Sequence, residues 1–113
     1  MKPTDPVPAD VQAWVDEQVQ ALQAVMIEVR KITDDRTAPV GEWALNLIPE
    51  MVEAENRAKR VTHLLTTYLL RHRLASPTAV ARQSGMTVTG IQGRATGLTA
   101  LDAWDEIWPS SQP

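Results

Sequence analysis

Apolar side chains recur every three or four residues over two long stretches of the chain, and this spacing constrains the fold most. One stretch runs from about residue 10 to 33, and the other from 43 to 68. Such intervals place side chains on one face of an α-helix, whereas a half-buried strand needs strict alternation. No segment alternates with a period of two. The sequence therefore predicts an all-α fold built on long amphipathic helices.

The first stretch predicts a helix with Asp10 as its N-cap. Prolines at positions 3, 6 and 8 favour an extended or disordered lead-in over residues 1–9. The apolar stripe consists of Val15, Val19, Leu22, Met26 and Val29, and it is widened by Trp14, Val25 and Ile32. Two acids and Pro39 then mark a loop over residues 34–39.

The second stretch contains a proline, which leaves two interpretations open. Its apolar residues are Trp43, Leu47, Met51, Ala54, Ala58, Val61, Leu65 and Tyr68, with Pro49 among them. A proline inside a helix removes a hydrogen bond and clashes with the carbonyl four residues back. One helix is kinked there, or one helix ends near Ile48 and another runs from about Pro49 to Leu74. We favour the second interpretation, with Pro49 in a first turn.

The remaining chain predicts three short helices from its capping residues. Ser76 before Pro77 is typical of a helix start, and Gly85 ends that helix. Thr87 caps the next helix, which Gly97 ends. A last helix, Ala100–Trp108, follows Thr99 as its cap and precedes a polar tail, so residues 98–113 form a C-terminal helix and tail.

Residues 77–96 satisfy the steric demands of two helices that cross after a tight turn. Ala81 is small where the helices would cross, Gly85 tolerates a left-handed turn, and Met86 can fill the core behind it. Val80 and Ile91 supply apolar contacts. On these residues the stretch resembles the helix-turn-helix of bacterial and phage repressors. It departs from that pattern at Arg94, where an apolar residue is usual, and at Gly90 and Gly93, which lie within the second helix.

Charge is distributed unevenly along the chain. Residues 56–101 hold seven basic residues and no acid, whereas the rest holds four basic residues and all fourteen acids. The net charge of −3 hides this polarity. A basic segment without acids suits a surface that faces a polyanion such as double-stranded DNA.

The resemblance implies roles for individual side chains in DNA binding. It places Thr87, Val88, Thr89, Gln92 and Arg94 against base edges in the major groove. It places Arg71, Arg73, Thr78 and Arg82 against phosphates. The implied unit spans residues 61–97, because the end of the second long helix supplies its third wall.

The long helices of residues 10–74 exceed what a small motif needs as support. They either pack as an antiparallel pair within one chain or form a bundle between two protomers. We expect a homodimer, since paired motifs read paired half-sites. Its predicted interface consists of Val15, Val19, Leu22, Met26, Val29, Leu47, Met51 and Leu65. The last helix is assigned to packing, because its Asp102, Asp105 and Glu106 make it a poor DNA element.

The sequence offers little support for other classes of function. The chain has no cysteine, so disulfides and thiolate chemistry are excluded, and two separated histidines do not favour a metal site. Glu50 and Glu53 resemble half of a magnesium-binding pair, but the second half is missing. We expect no enzyme activity, no cofactor, no membrane association and a cytoplasmic location. The abundance of arginine, alanine and valine favours a bacterial, phage or plasmid source. The alternative function is a helical protein-interaction module, such as an adaptor, antitoxin or inhibitor, whose basic face binds an acidic partner.

Overall fold

The computed structural model describes residues 8–109, and this part of the chain is all α-helical. Its five helices are α1 (Pro8–Asp34), α2 (Val40–Arg71), α3 (Pro77–Ser84), α4 (Val88–Ala95) and α5 (Leu98–Ile107). The long helices α1 and α2 form a hairpin, and the three short helices gather around the end of α2 away from the connecting loop. The predicted fold class is confirmed at this level.

Helix α1 begins earlier than expected. Its first residue is Pro8, which suits a first turn because the missing amide N–H would have no intrahelical partner there. Asp10 is therefore inside the first turn instead of being the N-cap, and its carboxylate accepts a hydrogen bond from Trp108 Nε1 at 3.1 Å. The predicted lead-in of residues 1–9 is wrong for its last two positions, and residues 1–7 lie outside the described part.

Helix α2 is continuous through Pro49, so the preferred division into two helices is wrong. An internal proline costs a helix about 3 kcal/mol. Helix α1 packs against α2, and tertiary packing of an amphipathic face supplies most of a helix's stability. The sequence signal was local, whereas the packing that overrides it comes from another helix.

The contact between α1 and α2 follows a seam that the sequence only partly predicts. On α1 the buried residues are Val11, Trp14, Gln18 and Val25. Leu64 of α2 is fully buried against the first two of these. Gln18 accepts a hydrogen bond from Arg57 Nη1 at 3.3 Å, which partly satisfies a polar side chain inside the seam. Trp14 and Val25 belong to the predicted stripe as the residues that widen it, whereas its central members lie beside the seam.

Helix α5 closes the end of the hairpin. Ala103 is fully buried, and Trp104, Ile107 and Trp108 pack around it against α1 and α2. Trp14 Nε1 donates to Glu106 Oε1 at 3.1 Å. The helix starts at Leu98 after Gly97 and has no side-chain cap, so the predicted cap at Thr99 is wrong. The assignment of this helix to packing agrees with its place in the fold.

Candidate nucleic-acid interface

Helices α3 and α4 form a small packed unit, called here the α3–α4 unit, whose turn is fixed by capping. Ser76 Oγ accepts from the amide of Ala79 at 3.1 Å, and Thr87 Oγ1 accepts from the amide of Gly90 at 3.0 Å. Gly85 has φ of 65°, a left-handed conformation that costs glycine little. The amide of Met86 then donates to the carbonyl of Ala81 at 3.0 Å, which completes a Schellman cap. All three predicted capping positions are confirmed.

The inner side of this unit is apolar. Val80, Ala81 and Ile91 are buried together. Their partly buried neighbours are Leu69, Leu70, Ala75 and Met86. Thr67 of α2 adds a polar link, since its hydroxyl donates to the carbonyl of Ala95 at 2.7 Å. The sequence did not identify this threonine, and its only signal was the pair of adjacent threonines within the mostly apolar stretch of residues 64–70.

The outer side of α4 presents most of the predicted base-contacting residues to solvent. Thr87, Val88, Thr89 and Gln92 are all exposed, while Ile91 is fully buried on the opposite side. Because successive residues of a helix are about 100° apart, Thr89 and Gln92 share one outward face. That face carries hydroxyl, amide and methyl groups, which are the groups that read base edges in a major groove.

The predicted phosphate-contacting residues are also exposed. Thr78 and Arg82 lie one turn apart on α3, on the side away from its buried residues. Arg71 places its guanidinium 4.7 Å from the ring centroid of Trp104, so this side chain is held in position by the aromatic face. Arg73 follows the last turn of α2 and has a positive φ of 54°.

Gln92 and Arg71 line one groove, although they belong to different helices. The groove has a volume of about 440 Å³ and lies between α2, α4 and α5. Its other lining residues are Thr67, Leu70, Ala95, Thr96 and Leu101. A residue predicted to read bases and a residue predicted to hold a phosphate are thus parts of one continuous surface.

Arg94 has a different environment from the other predicted base-contacting residues. It is half-buried, and its Nε atom is buried without a hydrogen-bond partner in the described residues. Its charge acts on His63 of α2. Burial, followed by the charges of Arg94 and Lys59, lowers the pKa of the His63 imidazole. Arg94 therefore lies toward α2, away from the outward face that holds Gln92.

Two of the basic residues are neutralised by acids from outside the basic segment. Arg57 Nε lies 2.7 Å from Glu53 Oε1, and Arg60 Nη2 lies 2.5 Å from Glu106 Oε2 and 3.3 Å from Asp102 Oδ2. The hydrogen bond from Arg60 is the largest influence on Glu106 and lowers the pKa of that carboxyl. Within residues 8–109, no carboxylate pairs with the other five cations, which are Lys59, Arg71, Arg73, Arg82 and Arg94.

The residues predicted to form a dimer interface make up a partly exposed apolar face on the hairpin. Val19, Met26 and Met51 are 42%, 43% and 40% exposed. The other members, Val15, Leu22, Val29, Leu47 and Leu65, are half-buried. On α1 each of these residues follows a buried seam residue by one or four positions, which corresponds to about 100° or about 40° around the helix. The α2 residues of the predicted interface are displaced from the α2 side of the seam in the same rotational sense. Because the two helices are antiparallel, both displacements bring the interface residues to the same side of the hairpin.

Comparison with protein-family models, with curated proteins and with solved structures gives no match for this chain. Among the described residues, no helix combines the length and the apolar character that crossing a membrane requires.

Proposed function

We propose that this chain binds double-stranded DNA in a sequence-specific manner, as a small dimeric transcription regulator whose α3–α4 unit is a helix-turn-helix. The observation that carries this proposal is the outward face of α4. It presents Thr89 and Gln92 to solvent beside cations that no carboxylate of the described residues neutralises. A surface of this composition combines base recognition with sequence-independent attraction to phosphates.

The packing of α3 against α4 supports the proposal. A helix-turn-helix requires a small residue where its helices cross, a left-handed turn residue and an apolar plug after it. Ala81 is buried, Gly85 has the required φ, and Met86 packs against the same cluster. Both helices expose polar or basic side chains opposite this cluster.

The charge distribution supports an orientation of the chain on DNA. Acids of α5 neutralise Arg60 on α2, whereas Arg82 of α3 and Arg73 have no such partner among residues 8–109. Residues 1–55 carry eleven acids and four basic residues. Repulsion between this net negative charge and phosphates would keep the N-terminal half away from the duplex.

Duplexes selected by the protein from a random library provide the direct test. Gln92→Ala should weaken binding to the selected site by about 1–3 kcal/mol and leave binding to scrambled duplexes nearly unchanged. Arg82→Ala should weaken binding to both duplexes similarly and reduce the salt slope by about one. Both side chains are exposed, so neither change should unfold the chain.

Affinity should also fall steeply as salt rises, because cations released from the duplex drive association. Failure to enrich any sequence, together with a flat salt response, would exclude the proposal. An unchanged ratio of affinities in Gln92→Ala would instead show that another face of the unit reads the bases. If the basic face binds an acidic protein instead, neither substitution will alter DNA binding.

A further inference from the structure

Three cationic or protonatable side chains converge where α4 packs against α2, away from the outward face of α4. Lys59 and His63 are one turn apart on the same face of α2. Arg94 lies half-buried on α4, which packs against α2, and its Nε and the Nδ1 of His63 are both buried. The charges of Arg94 and Lys59 contribute to the lowered pKa of His63. We refer to these three residues as the cation cluster.

The cluster lacks partners that would stabilise it. His63 Nδ1 and Arg94 Nε are both buried without a hydrogen-bond partner among residues 8–109. A buried polar group left in this state costs about 1–3 kcal/mol. The chain between residues 56 and 101 contains no acid, and Glu55, one turn before Lys59 on α2, forms no ion pair with Lys59. Asp102 and Glu106, the acids that approach α2 from α5, pair with Arg60 instead.

Like charges gathered without a counter-ion are unfavourable in the free protein, and an oxyanion relieves that cost. The guanidinium of Arg94 offers several N–H groups, Lys59 offers a mobile ammonium, and protonated His63 offers an N–H. A phosphate group has enough acceptor oxygens to bind all three at once.

We propose that Lys59, His63 and Arg94 form a binding site for a phosphate oxyanion, and that in the DNA complex this oxyanion is a backbone phosphate flanking the sequence contacted by α4. The second part rests on the proposed function, whereas the first part does not. The site extends the DNA-binding surface from the α3–α4 unit onto the middle of α2. It also gives Arg94 a role in positioning the backbone instead of reading a base.

Binding at this site should take up a proton. In the free protein, burial and the charges of Arg94 and Lys59 favour neutral His63. A bound phosphate supplies the opposite charge and favours the protonated imidazole. Proton uptake should therefore accompany binding in the pH interval between the lowered pKa of the free His63 imidazole and its raised pKa in the complex.

Proton NMR can test the site directly, because the chain has only two histidines. Their pKa values are measured in chloride and in inorganic phosphate at equal ionic strength. Phosphate should raise the pKa of His63 relative to chloride. His72 lies between Arg71 and Arg73, which are assigned to phosphate contacts, so its resonances report phosphate at those residues instead. The absence of any shift at His63 would overturn the site.

Substitutions separate the cluster from general electrostatic effects. Lys59→Gln changes an exposed side chain and should reduce the phosphate-induced shift at His63. Arg82→Gln removes one charge from α3, outside the cluster, and should leave that shift intact. If both variants reduce the shift equally, a diffuse field is acting and the site is not formed.

A duplex titration then tests the second part. Selected DNA should raise the pKa of His63, and Lys59→Gln should lower the salt slope of binding by about one. If DNA binds but His63 and the salt slope are unaffected, the backbone-phosphate assignment is wrong. If inorganic phosphate shifts His63 but no duplex binds, the proposed function fails while the oxyanion site stands.

Discussion

Arg73 adopts a backbone conformation that glycine usually takes at the end of a helix. Its amide donates to the carbonyl of Leu70 at 3.2 Å, and that of Leu74 donates to Leu69 at 2.9 Å. These two bonds form a Schellman cap with Arg73 at its left-handed position. A side chain in that region costs about 1–2 kcal/mol. Retaining arginine there is explained if its charge is needed at the DNA surface.

Arg73→Gly should therefore separate stability from binding. We expect thermal unfolding of the variant to occur at the same temperature or higher, with a gain of up to about 1 kcal/mol. We expect duplex affinity and the salt slope to fall, because one phosphate contact is lost. Calorimetry and a salt series measure the two effects. A variant that binds DNA as well as the original chain would assign Arg73 a purely structural place.

Gly93 lies on the exposed outer side of α4, and its substitution should also change stability and DNA binding in opposite directions. A methyl group added there would meet no atom within 4 Å, so nothing in the fold excludes alanine. Gly93→Ala should stabilise the chain by up to about 1 kcal/mol, because glycine is a poor helix former. It should nevertheless weaken DNA binding, since the helix backbone could no longer approach the duplex as closely.

Gly41→Ala is the matched control, because that glycine is also helical with open space around it but lies near the hairpin loop. It should leave DNA affinity unchanged. Equal effects of the two substitutions on binding would show that Gly93 has no special proximity to the duplex.

At the scale of single residues, the sequence predicted what depends on local chemistry. Ser76, Gly85 and Thr87 were identified because a cap needs a particular side chain or φ within a few residues. The direction of Arg94 was not identified in this way. It depends on the packing of α4 against α2, and helical spacing alone does not state which side of a helix meets its neighbour.

At the scale of elements, Pro49 and Gln18 show where pattern reasoning fails. Pro49 suggested a helix boundary, but α2 is one continuous helix that packs against α1. Gln18 is a polar residue outside the predicted apolar stripe, yet it is only 4% exposed and accepts a hydrogen bond from Arg57 of α2. In both cases the deciding contact comes from a residue distant in sequence.

The wide apolar surface of α1 also limited what the sequence could predict. The sequence predicted an apolar stripe that includes Val15 and Val19 and is widened by Trp14, and the hairpin buries Trp14 together with Val11. Both sets have helical spacing, and they are adjacent on the helix. An apolar surface this wide can contact two partners. The periodicity therefore predicted the helix itself but not which part of its apolar surface packs against α2.

At the scale of the whole molecule, buried residues collect at one end of a chain 59 Å long. The hairpin of α1 and α2 extends from that end, and one side of it carries the partly exposed apolar face described above. The all-α class was predictable because almost every segment has helical spacing. The placement of α5 across the hairpin end was not, since it depends on contacts such as Trp14 with Glu106.

We expect two copies of the hairpin to pair through this apolar face. Met26→Asp places a charge on it and should produce a monomer, because burying an unpaired charge in the pair is costly. Met26 is 43% exposed in the single chain, so the monomer should remain folded. Sedimentation at micromolar concentration measures the change, and circular dichroism checks the fold.

Ile27→Asp is the control for this experiment. Ile27 is 58% exposed on the same helix, about 100° farther from the seam, and its substitution should leave the dimer intact. Dissociation by Ile27→Asp alone would place the interface on the other side of α1. An original chain that sediments as a monomer would exclude pairing through the hairpin.

Because buried residues are concentrated at one end of the molecule, the stability of the other end should depend on protein concentration. Among the buried apolar residues of the described chain, Val25 is the one member near the middle of the hairpin, and the others lie toward α3, α4 and α5. Amide protons near the hairpin loop should therefore exchange with solvent through local opening, which requires much less free energy than global unfolding. Pairing would slow that exchange as concentration rises, and amides within α3 and α4 would be unaffected. Ordering of the loop half and assembly would then be one event, and occupancy of a DNA site would rise more steeply than the amount of protein.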